Sequence, residues 1–367
     1  MNILRNITFA FLFIIFHTQV VFPKLLMKPY LQAITPNSII VMVETDTKEP
    51  AKVVYGKNEL NNVAYTSFFR VAEDRRRQTY VHRIVLENLE PNSVYKYRAI
   101  HNKDTSEIFT FRSYVTEGMP FRVGLMGDNR SNPEVHSRKS KKLASHNPYI
   151  LVYTGDLCYS GKYTEWKKEF FTEEEQKLIA TAPFFNALGN HEAQTELTKV
   201  FLQAPSSPSN DEYYYSFDYG DVHFLILNTE ADVSPNSPQW KFAQEDLAKT
   251  NKKWKVVAFH KPAYSAGGYH GSNKKMQEFS ESIFEKLGVD LVFNGHNHFY
   301  QRSKFNGIYH IVLGGGGSPL YEPKEAQFVE KSVKDYHYAI MDVSSNSIKI
   351  TVYDLRDNII DQFEISK

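Results

Sequence analysis

One cysteine in 367 residues, Cys158, removes two function classes at once. No internal disulfide can form, and no metal site can be built on thiolates alone. A dominant charge is also missing. With 43 Lys and Arg against 42 Asp and Glu, no global field recruits nucleic acid or an anionic membrane. Internal repeats and low-complexity tracts are absent from the sequence. Tryptophan is scarce at 3, yet 26 phenylalanines and 23 tyrosines can fill large cores. The length is that of two domains rather than one.

No long apolar run of membrane-spanning length occurs. The longest, Ile7 to Phe16, follows Arg5, is broken by His17 and Gln19, and resumes briefly at Val20 to Phe22. It is too short and too interrupted for a stable anchor, so residues 1–22 read as a cleaved export signal, and the protein as secreted or periplasmic. No small-x-small cleavage site stands out, and no cysteine is placed for a lipoprotein anchor. Cys158 itself has two readings, a ligand or nucleophile and a small buried hydrophobe; the second is favoured. The basic runs Arg75-Arg76-Arg77 and Arg138 to Lys142 read as a solvated turn and a solvated helix face.

What is present falls into two rhythms. From about Met27 to Val115 the chain shows no helical period. Strands are expected at Ser38–Glu44, Ala51–Gly56, Thr79–Leu86, Val94–His101 and Glu107–Tyr114, separated by turn signals such as Glu90-Pro91-Asn92-Ser93. That spacing suggests a small antiparallel sandwich with a scaffold or substrate-shaping role. Leu89, Pro91, Tyr95 and Tyr97 resemble the leucine-proline-tyrosine corner of fibronectin type III modules.

From Phe121 onward strands alternate with helices. Strands are expected at Phe121–Gly127, Tyr149–Gly155, Phe184–Gly189, Val222–Thr229, Trp254–His260 and Val289–Gly295. Amphipathic helices are expected at Pro133–His146, Tyr163–Ala180, Pro238–Lys249 and Lys274–Leu287, and strands return over Tyr336–Ile365. The run Gly314 to Gly317 lacks a following helix with Lys-Ser/Thr, which rejects a P-loop and leaves a tight loop letting backbone approach a site.

Five polar islands end these strands: Gly127-Asp128-Asn129-Arg130, Gly155-Asp156-Leu157-Cys158-Tyr159, Gly189-Asn190-His191-Glu192, His260-Lys261-Pro262 and Gly295-His296-Asn297-His298. In an open α/β sheet the carboxyl ends of the strands are where ligands bind. Asp128 and Asp156 can hold cations, one of them bridging two ions through separate oxygens. Asn190 offers an amide oxygen, and His260, His296 and His298 offer imidazoles. Two cations bridged in this way sit about 3.5–4 Å apart and clamp the attacking and leaving oxygens of an in-line displacement. Tyr159, three residues past Asp156, is either a packing tyrosine or a phenolate on the same ion. A phenolate prefers a trivalent ion, which points to Fe(III) beside a divalent partner.

The ordered set GD-x-R, GDxxY, GNHE, HKP and GHNHFYQR resembles the calcineurin-like metallophosphoesterase superfamily, and within it GDxxY and GHxHxYxR resemble the purple acid phosphatases. Lys28-Pro29-Tyr30-Leu31-Gln32 resembles the opening of that family's N-terminal module. The resemblance covers nearly the whole chain. It implies an N-terminal fibronectin III-like β-sandwich over residues 25–116 and, over 120–367, a catalytic α/β domain of two sheets flanked by helices. It implies an iron-type site of Asp128, Asp156, Tyr159 and His298, and a divalent site of Asp156, Asn190, His260 and His296. The metals implied are Fe(III) with Zn, Mn or Fe(II), or alternatively two divalent ions. His191 and His270 become substrate-contacting and catalytic histidines. Arg130 stands where the family has a small residue; it either turns outward, pairs with a carboxylate, or binds the phosphoryl group. The implied activity is hydrolysis of small phosphate monoesters by metal-activated hydroxide. Diesters or nucleotides on the same centre, or a non-catalytic exported binding protein, are the rivals.

Overall fold

The computed structural model describes residues 23–74, 77–193, 195–203 and 214–367. The expected export signal at 1–22, together with Arg75 and Arg76, lies outside the described residues, and so do residues 194 and 204–213.

The N-terminal module is all antiparallel. Its expected strands appear as Ser38–Thr45, Lys52–Gly56, Arg77–Leu86, Val94–His101 and Phe109–Arg112. The longest strand, Asn62–Asp74, was not legible as one. It pairs with Lys52–Gly56 through Tyr65, bulges between Thr66 and Phe68, then pairs with Arg77–Leu86, joining the two layers into one 8-stranded sheet. A bulge shifts the alternation of faces by one residue, so the period-2 signal cancels along the strand. The tyrosine corner forms: the Tyr95 hydroxyl accepts from the Glu90 N–H at 2.9 Å, and Leu89 is buried.

The second domain stacks a 6-stranded and a 7-stranded sheet face to face. Their inner faces share one core, with Val123, Leu125 and Val152 from one sheet against Phe224, Val256 and Phe293 from the other. In the first sheet Phe121–Met126, Ile150–Tyr153 and Phe184–Asn186 run parallel. In the second, Val222–Ile226, Trp254–Ala258, Leu291–Asn294 and Ile308–Leu313 do. Strands buried on both faces read as continuous apolar runs, which is why they were legible.

Helices cover the outer faces. Pro133–Ser145 starts at Asn132, whose side chain accepts from the Val135 N–H, and Pro238–Lys249 starts at Ser237, whose hydroxyl accepts from the Trp240 N–H. The expected helix from Tyr163 to Ala180 is broken. A π-turn at Trp166–Phe170 is followed by Thr172, which caps a separate helix Glu173–Ile179. Lys274–Leu287 likewise contains a π-turn at Ser280–Phe284. The basic run on the first helix is not wholly solvated: Lys139 is fully buried, and burial pushes its ammonium down to about 7. No helix among the described residues is long and apolar enough to cross a membrane.

The two domains are pinned by buried hydrogen bonds. Tyr97 donates to the Ala180 carbonyl at 2.8 Å and Tyr30 to the Phe201 carbonyl at 3.0 Å. Glu44, buried in the β-module, receives Lys167 and Tyr163 from the other side.

Candidate metal centre

The parallel strands of both sheets end at one shared edge, and the polar islands are the turns that follow. Asp128, Asp156 and His296 all adopt left-handed backbone angles, with φ of 56°, 56° and 69°. For residues with a Cβ this is strained, and such strain clusters where a side chain must be aimed. The glycines before the ligands have a steric reason. A Cβ on Gly189 would sit 2.1 Å from the Asp156 carboxylate, and one on Gly295 would sit 2.4 Å from that of Asp128. Each turn must press its backbone onto the next turn's side chain. The run Gly314 to Gly317 serves the same purpose as expected: a Cβ on Gly316 would meet the Gly127 carbonyl at 2.0 Å.

The two sheets meet through these turns. The His296 N–H donates to Asp128 at 3.0 Å. His260 donates from Nδ1 to the Thr154 carbonyl at 2.8 Å, which leaves its Nε2 facing the centre. There Nε2 lies 3.3 Å from Asp156 Oδ1, 3.2 Å from Asn190 Oδ1 and 3.1 Å from His296 Nδ1. His298 donates from Nδ1 to the Pro319 carbonyl at 2.8 Å, and its Nε2 lies 3.4 Å from Asp128 Oδ1. Asp128, Asp156 and His260 each offer a ligand atom within 4.8 Å of the others, and all are buried.

This donor set fits metal ions. Burial alone would lower His260, yet Asp156 and then Asp128 raise it to about 10. The two carboxylates thus hold positive charge at one buried point beside an amide oxygen and the neutral imidazole of His296, and a cation would replace that proton with more ligands satisfied. The second-sphere bonds to Thr154 and Pro319 fix which ring nitrogen is offered.

The remaining predicted residues are placed as follows. Arg130 donates from Nε to Asp156 Oδ2 at 3.2 Å, so of its three expected fates it takes the pairing with a carboxylate, while also lining a cavity of about 280 Å³ over the centre. His191 donates from Nδ1 to the Tyr159 carbonyl, and its Nε2 stands 3.8 Å from Asp156 Oδ2. His270 packs against His296 with ring centroids 3.9 Å apart and the rings tilted by 30°, at the same cavity. Tyr159 is 54% exposed, its ring 5.2 Å from His191 and 5.6 Å from the Arg130 guanidinium carbon, at the flank of the centre rather than inside it. Cys158 is a buried free thiol, pushed up by burial, as the bland reading expected.

Three residues carry more than their sequence suggested. Glu192 is buried and accepts from the N–H groups of both Asp156 and Gly189 at 3.0 Å, clamping two ligand turns together. Tyr321 stacks on His298 at 4.1 Å, and Tyr269 lines the cavity mouth. Glu192 sits inside an island and was within reach of inspection. Tyr269 adjoins the predicted site residue His270 and was equally within reach, whereas Tyr321 lies 23 positions past His298 and only folding brings it in.

Two sheets with metal-competent turns on one shared edge define the calcineurin-like phosphoesterase fold, and the family of that description matches residues 121–300. Residues 27–113 match the purple acid phosphatase N-terminal domain. The chain therefore belongs to the purple acid phosphatase branch of the calcineurin-like metallophosphoesterases, metal-dependent phosphatases with a dinuclear centre. Among curated relatives it is 28% identical over 334 residues to purple acid phosphatase 21 of Arabidopsis thaliana, covering 78% of this chain and 74% of that one. It is 29% identical over 269 residues to "Probable purple acid phosphatase 20" of the same plant, covering 66% of this chain and 62% of that protein. Another relative, 24% identical over 356 residues, covering 78% of this chain and 58% of its own, bears the name "Probable inactive purple acid phosphatase 1". In fold the chain matches the purple acid phosphatase PPD1 from yellow lupin (Lupinus luteus) seeds, with a TM-score of 0.81 at 21% identity, over 94% of this chain and 74% of that one.

Proposed function

We propose that this protein hydrolyses small phosphate monoesters on two metal ions, one held by Asp128, Asp156, Tyr159 and His298, the other by Asp156, Asn190, His260 and His296. The observation that carries the reading is the meeting of His260 Nε2, His296 Nδ1, Asn190 Oδ1 and Asp156 Oδ1 around one buried point. The ions, when bound, supply an activated water and neutralise the charge that develops on the phosphoryl oxygens. Everything else falls to the chain. Arg130, lining the cavity, orients the phosphoryl group. His191, with Nδ1 committed to a carbonyl, presents Nε2 to the cavity and protonates the departing ester oxygen as the P–O bond breaks. His270 is lowered by burial and by the neighbouring histidines His298 and His260, so it serves as a neutral N–H donor to phosphate. Among the described residues no side chain at the centre is placed as a nucleophile apart from ligand duty, so no covalent phospho-enzyme is expected.

The first ion is Fe(III) in this reading, because a phenolate needs its charge; Tyr159, exposed at the flank of the centre, is the residue that would supply that phenolate. The module boundaries are placed at 25–116 and 120–367. Export rests on the apolar stretch from Ile7 to Phe16 after Arg5.

The test is metal analysis with a visible absorption spectrum on protein purified without chelator. About one iron and one divalent ion per chain, with a broad visible band that Tyr159→Phe abolishes, is the expected result. Asn190→Ala and His296→Ala are expected to lose turnover together with one ion. Full activity with both ions retained in either variant would contradict the assignment. A colourless protein with two divalent ions keeps the hydrolase and removes Tyr159 from the ligand set.

A further inference from the structure

Two loops build one side of the cavity, and they are laced together. The Gly268 N–H donates to the Glu322 carbonyl at 2.9 Å, and the Lys324 N–H to the Ala266 carbonyl at 3.1 Å. Asn297, between the ligands His296 and His298, ties the first loop down by donating to the Gly271 carbonyl at 3.1 Å. Gly268 turns with φ of 65°, and a Cβ there would press on Asn297 Oδ1 at 2.8 Å and on the Tyr321 ring at 3.2 Å. The loop is therefore held at both edges, and the residue at its tip, Tyr269, has a fixed place.

That place is beside two ring pairs. His270 meets His296 at 3.9 Å with the rings tilted by 30°, and Tyr321 stacks on His298 at 4.1 Å. The Tyr269 ring lies 6.2 Å from His270 and 5.9 Å from Tyr321, tilted against both. It is nevertheless 88% exposed, a large ring left uncovered on an anchored loop at the mouth of a cavity of about 280 Å³. The same cavity is lined by the charged and polar groups Asp156, Asn190, Arg130, His191, His296 and His298.

We propose that Tyr269 and Tyr321 form an aromatic wall that selects phosphate monoesters with a flat aromatic or heteroaromatic leaving group. This rests on the phosphoesterase reading above. With the phosphoryl group seated among these polar groups, the organic half of the ester projects toward solvent, where the Tyr269 face is an uncovered apolar surface. A tyrosine ring loses little conformational freedom on stacking, having two side-chain torsions, and its quadrupole favours offset contact with another ring. An alkyl or polyol group of similar length gains no such contact.

The experiment compares wild type, Tyr269→Ala and Tyr269→Phe on phenyl phosphate and methyl phosphate. Each substrate is read as a variant-to-wild-type ratio, so that the better intrinsic departure of phenolate cancels. Tyr269→Ala is expected to lower the phenyl-to-methyl preference in kcat/KM about tenfold, mainly through KM, and Tyr269→Phe to restore it. Inhibition by phenylphosphonate, which cannot be hydrolysed, should weaken by a similar factor in Tyr269→Ala relative to methylphosphonate. An unchanged preference, or an equal loss on both esters, overturns the aromatic wall while leaving the phosphoesterase reading intact. If wild type turns over neither ester, the phosphoesterase reading fails, and the wall fails with it.

Discussion

Arg130 holds Asp156: its Nε donates to Oδ2 at 3.2 Å, while the other oxygen of the same carboxylate, Oδ1, faces His260 Nε2 at 3.3 Å. One carboxylate is thus shared between a guanidinium and the metal-competent point, and both partners are almost wholly buried. The ion pair offsets part of the guanidinium charge, so Arg130 stands beside the metal-competent point with its charge partnered.

Arg130→Ala is accordingly expected to spare metal content and to raise KM for a phosphate monoester by about 10–100-fold. That is the worth of one charge-assisted contact, ~1.5–3 kcal/mol. Arg130→Lys should recover only part of it, since a single ammonium cannot reach the carboxylate and the substrate together. Loss of bound metal in either variant would show that the arginine is structural rather than substrate-facing.

Glu192 gives a cleaner structural prediction. Burial, then the neighbouring Asp156 carboxylate, raises its carboxyl well above the usual carboxylate range. Its Oε1 accepts two backbone N–H groups. Glu192→Gln preserves that acceptor and is expected to change stability by no more than about 1 kcal/mol and to keep most activity. Glu192→Ala strands both donors and should cost about 2–4 kcal/mol in chemical denaturation, with a matching drop in kcat as the Asp156 and Asn190 turns separate. Equal behaviour of the two variants would refute the clamp.

His223 sets a pH dependence away from the metals. Burial works against its charge, but Asp218 and Asp246, at 2.8 and 2.7 Å, raise it from 6.5 to about 9. Its imidazolium contributes stability that is complete below about 6.5 and is lost as pH rises through about 9. Unfolding free energy should fall over that window by up to ~3 kcal/mol through this group. His223→Gln should flatten that stretch of the curve, measured by denaturation at several pH values. An unchanged slope would show that the two aspartates do not hold the charge.

Much of the centre was legible because parallel strands buried on both faces advertise themselves as apolar runs, and a polar residue directly after such a run can only stand at the sheet's edge. That regularity made Asp128, Asp156, Asn190, His260, His296 and His298 candidate donors, and the family resemblance divided them between two ions. Asn62–Asp74 was missed for the opposite reason, since a bulge cancels its alternation, and the helix from Tyr163 was overextended because Thr172 caps a second one inside an unbroken amphipathic pattern.

The sequence by itself determined two domains, the order of strands and turns, and which atoms are chemically able to bind a cation, because these depend on residue type and local period. Tertiary structure alone decided what those atoms face. Arg130 had three open fates until Asp156 was seen beside it, and Lys139 lay in a basic run until packing turned it inward. Tyr269 and Tyr321, separated by 52 positions in the chain, became neighbours only when Gly268 and Glu322 paired their backbones. Local pattern fixes an element, but the distance between two side chains on different elements is set by how the sheets stack, and no short stretch of sequence contains it.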